Sequence, residues 1–203
     1  MCYNCKLVSL GDLEIQEAYN RLCVDGKLKE EYQIIKKKGL TCALDTPTVF
    51  KVEWIKIFLS CIHDGCIWLE SGLVKLTKLM IHRVTRYPTT NQSCAIRSYS
   101  KEIIERNIGA IWNKRGMIID TITNPLVEFA VRVIAHKFYQ SSRINSVPCI
   151  AVDMGYKMVK TDHTYDLAEL LLQQINENLG AIRKTKGAQC KYKAILVCIF
   201  FYV

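Results

Sequence analysis

The chain has 203 residues, half of which are apolar, and it carries a formal net charge of +9. The apolar content excludes general disorder. A chain of this length buries roughly 70% of its unfolded surface, so its core does not need disulfides or metal ions to be stable. Its ten cysteines are about 5% of the residues, below the share of about 8–10% that marks a disulfide scaffold.

The N-terminal residues lack the apolar core of a secretory signal, and the early acids Asp12 and Glu14 argue against a transit peptide. No apolar stretch approaches 18 residues, so the sequence predicts no transmembrane span. We therefore expect a cytoplasmic or nuclear protein whose thiols are reduced.

Apolar periodicity and capping residues predict a chain of helices. We expect Gly39 to close the second helix in a left-handed conformation, Thr77 to cap the fourth, and Asn124-Pro125 to start a central helix. Thr164 is expected to cap the last long helix. Cys66–Leu69 is expected to be a short strand. The predicted helices span 9–25, 28–38, 49–62, 77–85, 100–108, 125–140, 149–159 and 164–184.

This pattern predicts a mainly α fold, an irregular helical domain with one or two short strands. We divide the chain into an N-terminal helical appendage (1–45), a helical core (46–187) and an apolar C-terminal segment (188–203). The uninterrupted apolar run 194–203 is too short to span a bilayer. It indicates either a truncated reading frame or a strand or helix that docks on the core.

Lys and Arg are spread evenly along the chain, and the excess of positive charge comes from two windows, 71–101 and 178–203, that contain no Asp or Glu. Such surfaces attract polyanions, although lysines that merely keep the protein dispersed give the same pattern. We interpret Trp54, Trp68 and Trp112 as core anchors rather than base-stacking platforms. The candidate nucleic-acid-binding residues are Lys75, Lys78, Arg83, Arg86, Arg183, Lys184, Lys186, Lys191 and Lys193.

Two groups of residues have the chemistry of zinc ligands: Cys2 with Cys5, and Cys61 with His63 and Cys66. Neither group has the second pair that would complete a site, so we expect no metal and no cofactor. A thiol beside a base could also act as a nucleophile, but ten cysteines and four histidines give such pairs by chance. His136, on an apolar helix, is expected to be a hydrogen-bonded core residue, and we assign no catalytic residue.

Residues 66–184 contain two stretches with a recognisable pattern. Trp68-Leu69 is followed by Val74 to Pro88, and Phe138-Tyr139 is followed by Ile144 to Pro148 and the later apolar helix. This order resembles the helical, gag-like N-terminal regions of plant retrotransposon polyproteins. Arg86 stands where that family prefers Gly, and the His that often follows the linker proline is missing. The resemblance implies an all-helical domain derived from a transposable element.

These observations predict a non-catalytic binding or assembly protein. Its expected partners are RNA or DNA at the basic faces, and a second copy or another protein at the apolar helices. A host-recruited regulator acting through protein partners in stress or defence is the first alternative. A cryptic enzyme with a Cys/His site and a degraded fragment without a selected function are the others.

Overall fold

The computed structural model describes residues 10–24, 28–45, 52–63, 66–70, 72–90, 101–109, 111–113, 116–141, 146–185 and 187–202. The helices in this part of the chain are α1 (Leu10–Val24), α2 (Leu28–Lys37), α3 (Cys42–Asp45), α4 (Val52–Cys61), α5 (Lys78–Thr85), α6 (Lys101–Ile108), α7 (Pro125–Val133), α8 (Cys149–Lys160), α9 (Leu167–Lys184) and α10 (Lys193–Tyr202). The strands are β1 (Ile62–His63), β2 (Cys66–Leu69), β3 (Gly72–Lys75), β4 (Trp112–Asn113), β5 (Gly116–Ile118) and β6 (Ser146–Val147). The mainly α fold class is confirmed.

The helix limits follow the capping residues at several predicted positions. Thr77 caps α5 by accepting a hydrogen bond from the Met80 amide at 3.4 Å, and Asn124 accepts from the amides of Leu126 and Val127. Gly39 has the predicted left-handed conformation, with φ of 73°. A side chain there would collide with the ring of Pro88, so the site requires glycine for two reasons.

The start of α9 differs from the prediction. Its N-cap is Asp166, whose carboxylate accepts a hydrogen bond from the Glu169 amide at 2.9 Å. Thr164 instead directs its hydroxyl to the carbonyl oxygen of Asp162. Both residue types suit an N-cap, and burial decides between them, because Asp166 is only 1% exposed and its oxygens need donors.

The central helix changes geometry at its C-terminal end. After α7 the chain continues as a π-helical turn (Ile134–Phe138), in which the Tyr139 amide donates to the Ile134 carbonyl oxygen. The sequence predicts a single α-helix to about residue 140. A π-helical turn contains one residue more than an α-helical turn, and the apolar pattern does not show this difference. This turn carries His136 and Lys137, and both are buried.

Two small antiparallel sheets replace the one or two strands that the sequence predicts, and their strand orders are β1-β2-β3 and β4-β5-β6. In the first sheet Trp68 pairs with Leu73, and both side chains are exposed. In the second sheet Met117 pairs with Val147, and both are fully buried. The first sheet is a meander between α4 and α5, whereas the second joins the hairpin of β4 and β5 to the distant strand β6, which follows α7 in the chain.

Helix α7 lies at the centre of the core and packs against α1 and α8. Gly155 allows α8 to approach closely, because a Cβ atom there would lie 2.6 Å from Val131 Cγ2. One cluster of buried apolar residues includes side chains from α1, α7, α9 and α10. The three-part division of the chain stays a prediction.

The apolar run near the C-terminus forms a helix that docks on the core. Helix α10 packs on α4 and α5, and it buries Ile195, Leu196, Val197 and Ile199. Among the helices that the structure describes, none combines the length and the apolar content that a bilayer crossing would need.

Candidate functional site

The first basic window surrounds α5, and its side chains have different environments. Lys75 is exposed at the end of β3, and Arg86 is exposed at the C-cap of α5 with φ of 60°. Lys78 forms an ion pair of 3.1 Å with the buried carboxylate of Asp166. The structure thus leaves Lys75 and Arg86 open to a ligand, whereas the Lys78 amine is engaged within the fold.

Arg83 joins α5 to the end of α10. Its Nη1 donates a hydrogen bond to the Tyr202 hydroxyl, and its guanidinium lies 5.6 Å from the centroid of the Tyr202 ring. Arg83 and Tyr202 are both exposed, as is the neighbouring Phe201. The two basic windows therefore meet here, because Tyr202 belongs to the second window.

The rest of the second window lies near the other end of α10. Arg183 Nη2 donates to the carbonyl oxygen of Ile62 at 3.3 Å, Lys184 and Lys191 are exposed, and Lys193 is half-buried at the start of α10. Lys186 lies outside the described residues. A helical rise of about 1.5 Å per residue puts Lys193 roughly 14 Å along the axis from Tyr202. Arg83 and Lys193 therefore lie at opposite ends of α10. Lys75 pairs with Cys66, which pairs with His63 beside Ile62, so Lys75 lies on the side of Arg183.

The aromatic residues near Arg83 form a partly exposed cluster. The Trp54 and Phe201 rings meet edge to face at a centroid distance of 4.6 Å, and Phe200 contacts Phe201. Trp68 on β2 is 56% exposed, so the interpretation of this residue as a core anchor is wrong. The alternation of β2 buries Ile67 and turns Trp68 outward, since successive side chains point to opposite faces.

The residues considered for metal binding form no cluster of ligands in the described part of the chain. There, no group of three His, Cys, Asp or Glu residues is placed to hold a metal ion. Cys2 and Cys5 lie outside the described residues. The described cysteines are free thiols, and burial raises the pKa of Cys42, Cys190 and Cys198, which disfavours the nucleophilic thiolate.

Two of the histidines direct a ring nitrogen to a backbone carbonyl oxygen five residues ahead. His82 Nδ1 lies 2.6 Å from the Tyr87 oxygen, and His136 Nδ1 lies 3.1 Å from the Ser141 oxygen. The expectation that His136 is a buried, hydrogen-bonded residue is confirmed. Burial lowers its pKa, with the nearby Glu14 and Asp12 acting in the opposite direction.

A second constellation, which the sequence analysis missed, surrounds Arg132 on α7. Its guanidinium is buried and contacts the carboxylates of Glu14, Asp120 and Glu128. Only the pair Glu128 and Arg132 has a local signal, the spacing of four residues on a helix. Glu14 is 118 residues away from Arg132 in the chain, so no pattern in the sequence connects them.

Comparison of the chain with protein-family models, with curated proteins and with solved structures gave no match.

Proposed function

We propose that this chain is a non-catalytic binding protein whose surface at the ends of α5 and α10 contacts a strand of RNA or DNA. The observation that carries the proposal is the contact of Arg83 with Tyr202, next to the exposed ring of Phe201. Proteins bind single-stranded nucleic acid with cationic side chains that contact the phosphates and aromatic rings on which the bases stack.

The charges around this contact support the proposal. Arg86 is exposed three residues after Arg83, Lys75 is exposed on β3 before α5, and no acid occurs between residues 71 and 101. The group of Arg183, Lys184, Lys191 and Lys193 extends the positive surface toward the start of α10. We place this activity in the cytoplasm or the nucleus. The origin from a plant transposable element is likewise a proposal, and it rests on the quoted residues alone.

The test is the binding of a labelled single-stranded RNA, followed by fluorescence anisotropy at increasing salt. If Lys75, Arg83 and Arg86 each contact one phosphate, a plot of the logarithm of the binding constant against the logarithm of the salt concentration has a slope of about −2. The affinity should then fall about fifteenfold between about 50 and 200 mM salt. The double variant Lys75→Gln/Arg83→Gln should bring the slope close to −0.7, the value for about one contact.

The matched control is Lys37→Gln/Lys160→Gln, which removes the same charge from exposed positions on α2 and α8. We expect this control to retain the wild-type slope. Absence of RNA binding at low salt, or equal effects of the two double variants, would exclude the proposed surface.

The exposed pair Trp68 and Leu73 favours a second candidate function, a regulator or assembly protein that binds a protein partner or a second copy of itself. Large apolar side chains that face solvent together are typical of protein interaction sites. Trp68→Ser should then abolish partner binding or self-association, whereas Lys75→Gln/Arg83→Gln should leave it intact.

A further inference from the structure

A cavity of about 370 Å³ lies between α1, the turn Ile119–Thr121 and α7. We call it the Arg132 cavity, and it is lined by Glu14, Glu17, Arg21, Asp120, Glu128 and Arg132. All of its lining residues are charged, and none of them belongs to α5 or α10.

Arg132 occupies the centre of the carboxylates and is itself almost completely buried, with 6% of its side chain exposed. Its Nε donates to Glu128 Oε1 at 2.9 Å, its Nη2 donates to Asp120 Oδ1 at 2.8 Å, and its Nη1 donates to Glu14 Oε2. Arg21 adds a second hydrogen bond to Glu128 Oε1, at 2.6 Å. Each of these three carboxylates thus directs one oxygen to an arginine and keeps its other oxygen for a further donor.

The negative charges of the cavity exceed the positive charges by two, because four acids face two arginines. Among the described residues, Glu17 has no hydrogen-bond or ion-pair partner. This excess is unusual in a chain whose net charge is +9. A cation therefore fits the cavity better than an anion does.

His136 provides an independent sign that a donor belongs here. Its side chain is 6% exposed, and its Nε2 lies 3.6 Å from Glu14 Oε2 without a hydrogen-bond partner in the described part of the chain. Because Nδ1 faces the Ser141 carbonyl oxygen, Nδ1 carries the proton and Nε2 of the neutral ring presents a lone pair. Two acceptors therefore face each other at the Glu14 side of the cavity.

We propose that the Arg132 cavity binds an organic cation with N–H donors, a primary amine or a guanidinium. Its N–H groups supply donors to Glu17 and to the carboxylate oxygens that Arg21 and Arg132 leave free, and two positive charges balance the cavity. The same chemistry comes from a free polyamine or from an arginine or lysine side chain of a peptide. A metal ion fits less well, since the carboxylates already converge on Arg132 and no described group has the arrangement of metal ligands.

The test is calorimetric titration of the full chain at pH 7.5 and low salt with agmatine, spermidine and acetyl-Gly-Arg-Gly-amide. We expect 1:1 binding of agmatine that is about threefold weaker in Glu17→Gln, since an exposed charge pair contributes modestly. Glu53→Gln removes another exposed acid, on α4, and should leave the affinity unchanged. Tighter binding of the peptide than of agmatine identifies a protein as the source of the cation, and the reverse identifies a free polyamine.

A second readout locates the ligand. Agmatine should shift the ring Cε1–H resonance of His136 and leave that of the exposed His163 in place. The proposal is overturned if none of the three probes binds 1:1, if Glu53→Gln weakens binding as much as Glu17→Gln, or if the His163 resonance moves and that of His136 does not. None of these outcomes depends on RNA binding at α5 and α10.

Discussion

The carboxylate of Asp166 binds the amine of Lys78 at 3.1 Å and so connects the N-terminal end of α9 to α5. The same carboxylate accepts hydrogen bonds from the amides of Thr90 and Glu169, at 3.0 and 2.9 Å. Asp166 is thus both a helix cap and a junction between segments. Lys78, which the sequence assigns to nucleic-acid binding, belongs to this junction.

Substitutions at Lys78 and Lys75 should therefore have opposite signatures. We expect Lys78→Ala to lower the free energy of unfolding by about 1 to 2 kcal/mol, because it removes a charged donor from a buried carboxylate. Lys75→Ala should change stability by less than about 0.5 kcal/mol and should weaken RNA binding instead. Urea unfolding and RNA titration of both variants check this. Equal stability of the two variants would contradict the role of Lys78 in the junction.

Loss of the cap itself should cost more. Asp166→Ala removes an N-cap, which contributes about 1 to 2 kcal/mol, and it also leaves the Lys78 amine and the Thr90 amide without this acceptor. We expect a total loss of about 2 to 3 kcal/mol in urea unfolding. Thr164→Ala, at the position that the sequence favours for the cap, should cost less than about 0.5 kcal/mol. A larger effect at Thr164 would show that the helix begins earlier.

Gly155 and Gly180 form a matched pair of helical glycines. A Cβ atom at Gly155 would lie 2.6 Å from Val131 Cγ2 and 2.9 Å from the Val131 backbone nitrogen, so α7 and α8 would have to separate. We expect Gly155→Ala to destabilise the protein by about 1 to 3 kcal/mol. Gly180 has nothing within 4 Å of such an atom, and Gly180→Ala should stabilise α9 by about 0.5 to 1 kcal/mol. Thermal unfolding of both variants measures the two changes in stability. The prediction is wrong if both unfolding midpoints shift in the same direction.

Local signals of the sequence predict the parts of the fold that depend on neighbouring residues. Thr77, Gly39 and Asn124-Pro125 mark helix limits because a cap acts within a few positions of itself. Features that depend on distant residues are not visible in this way. The Arg132 cavity needs Glu14 from a segment 118 residues away, and the choice of Asp166 over Thr164 depends on what buries it.

Arg86 has a backbone conformation that favours glycine. Its φ of 60° ends α5 in the left-handed region, where a Cβ atom costs roughly 1 kcal/mol relative to glycine. We expect Arg86→Gly to raise the free energy of unfolding by up to about 1 kcal/mol and also to weaken RNA binding. Arg86→Gln removes the charge alone and should weaken RNA binding without the gain in stability. A loss of stability in Arg86→Gly would mean that the arginine side chain supports the turn.

The buried ring of His136 should make stability dependent on pH. Burial and the guanidinium of Arg132 lower its pKa, against the opposing effects of Glu14, Asp12 and the Ser141 carbonyl oxygen. Because the folded-state pKa lies below the ordinary value of about 6.5, the unfolded chain binds the proton more readily. The free energy of unfolding should therefore be constant above about pH 6.5 with respect to this group and should fall as the pH drops below it.

Urea unfolding between pH 7.5 and 5.5 measures this dependence. His136→Asn places an amide near the position of Nδ1, where it can still donate to the Ser141 oxygen, and it has no titrating ring. We expect this variant to lose much of the wild-type decrease across the range, whereas His163→Asn, at an exposed position, should retain it. Identical pH dependence of the wild type and His136→Asn would show that protonation of the buried ring does not oppose folding. A stability that rises on acidification and needs His136 would mean instead that the ion pair with Glu14 outweighs burial.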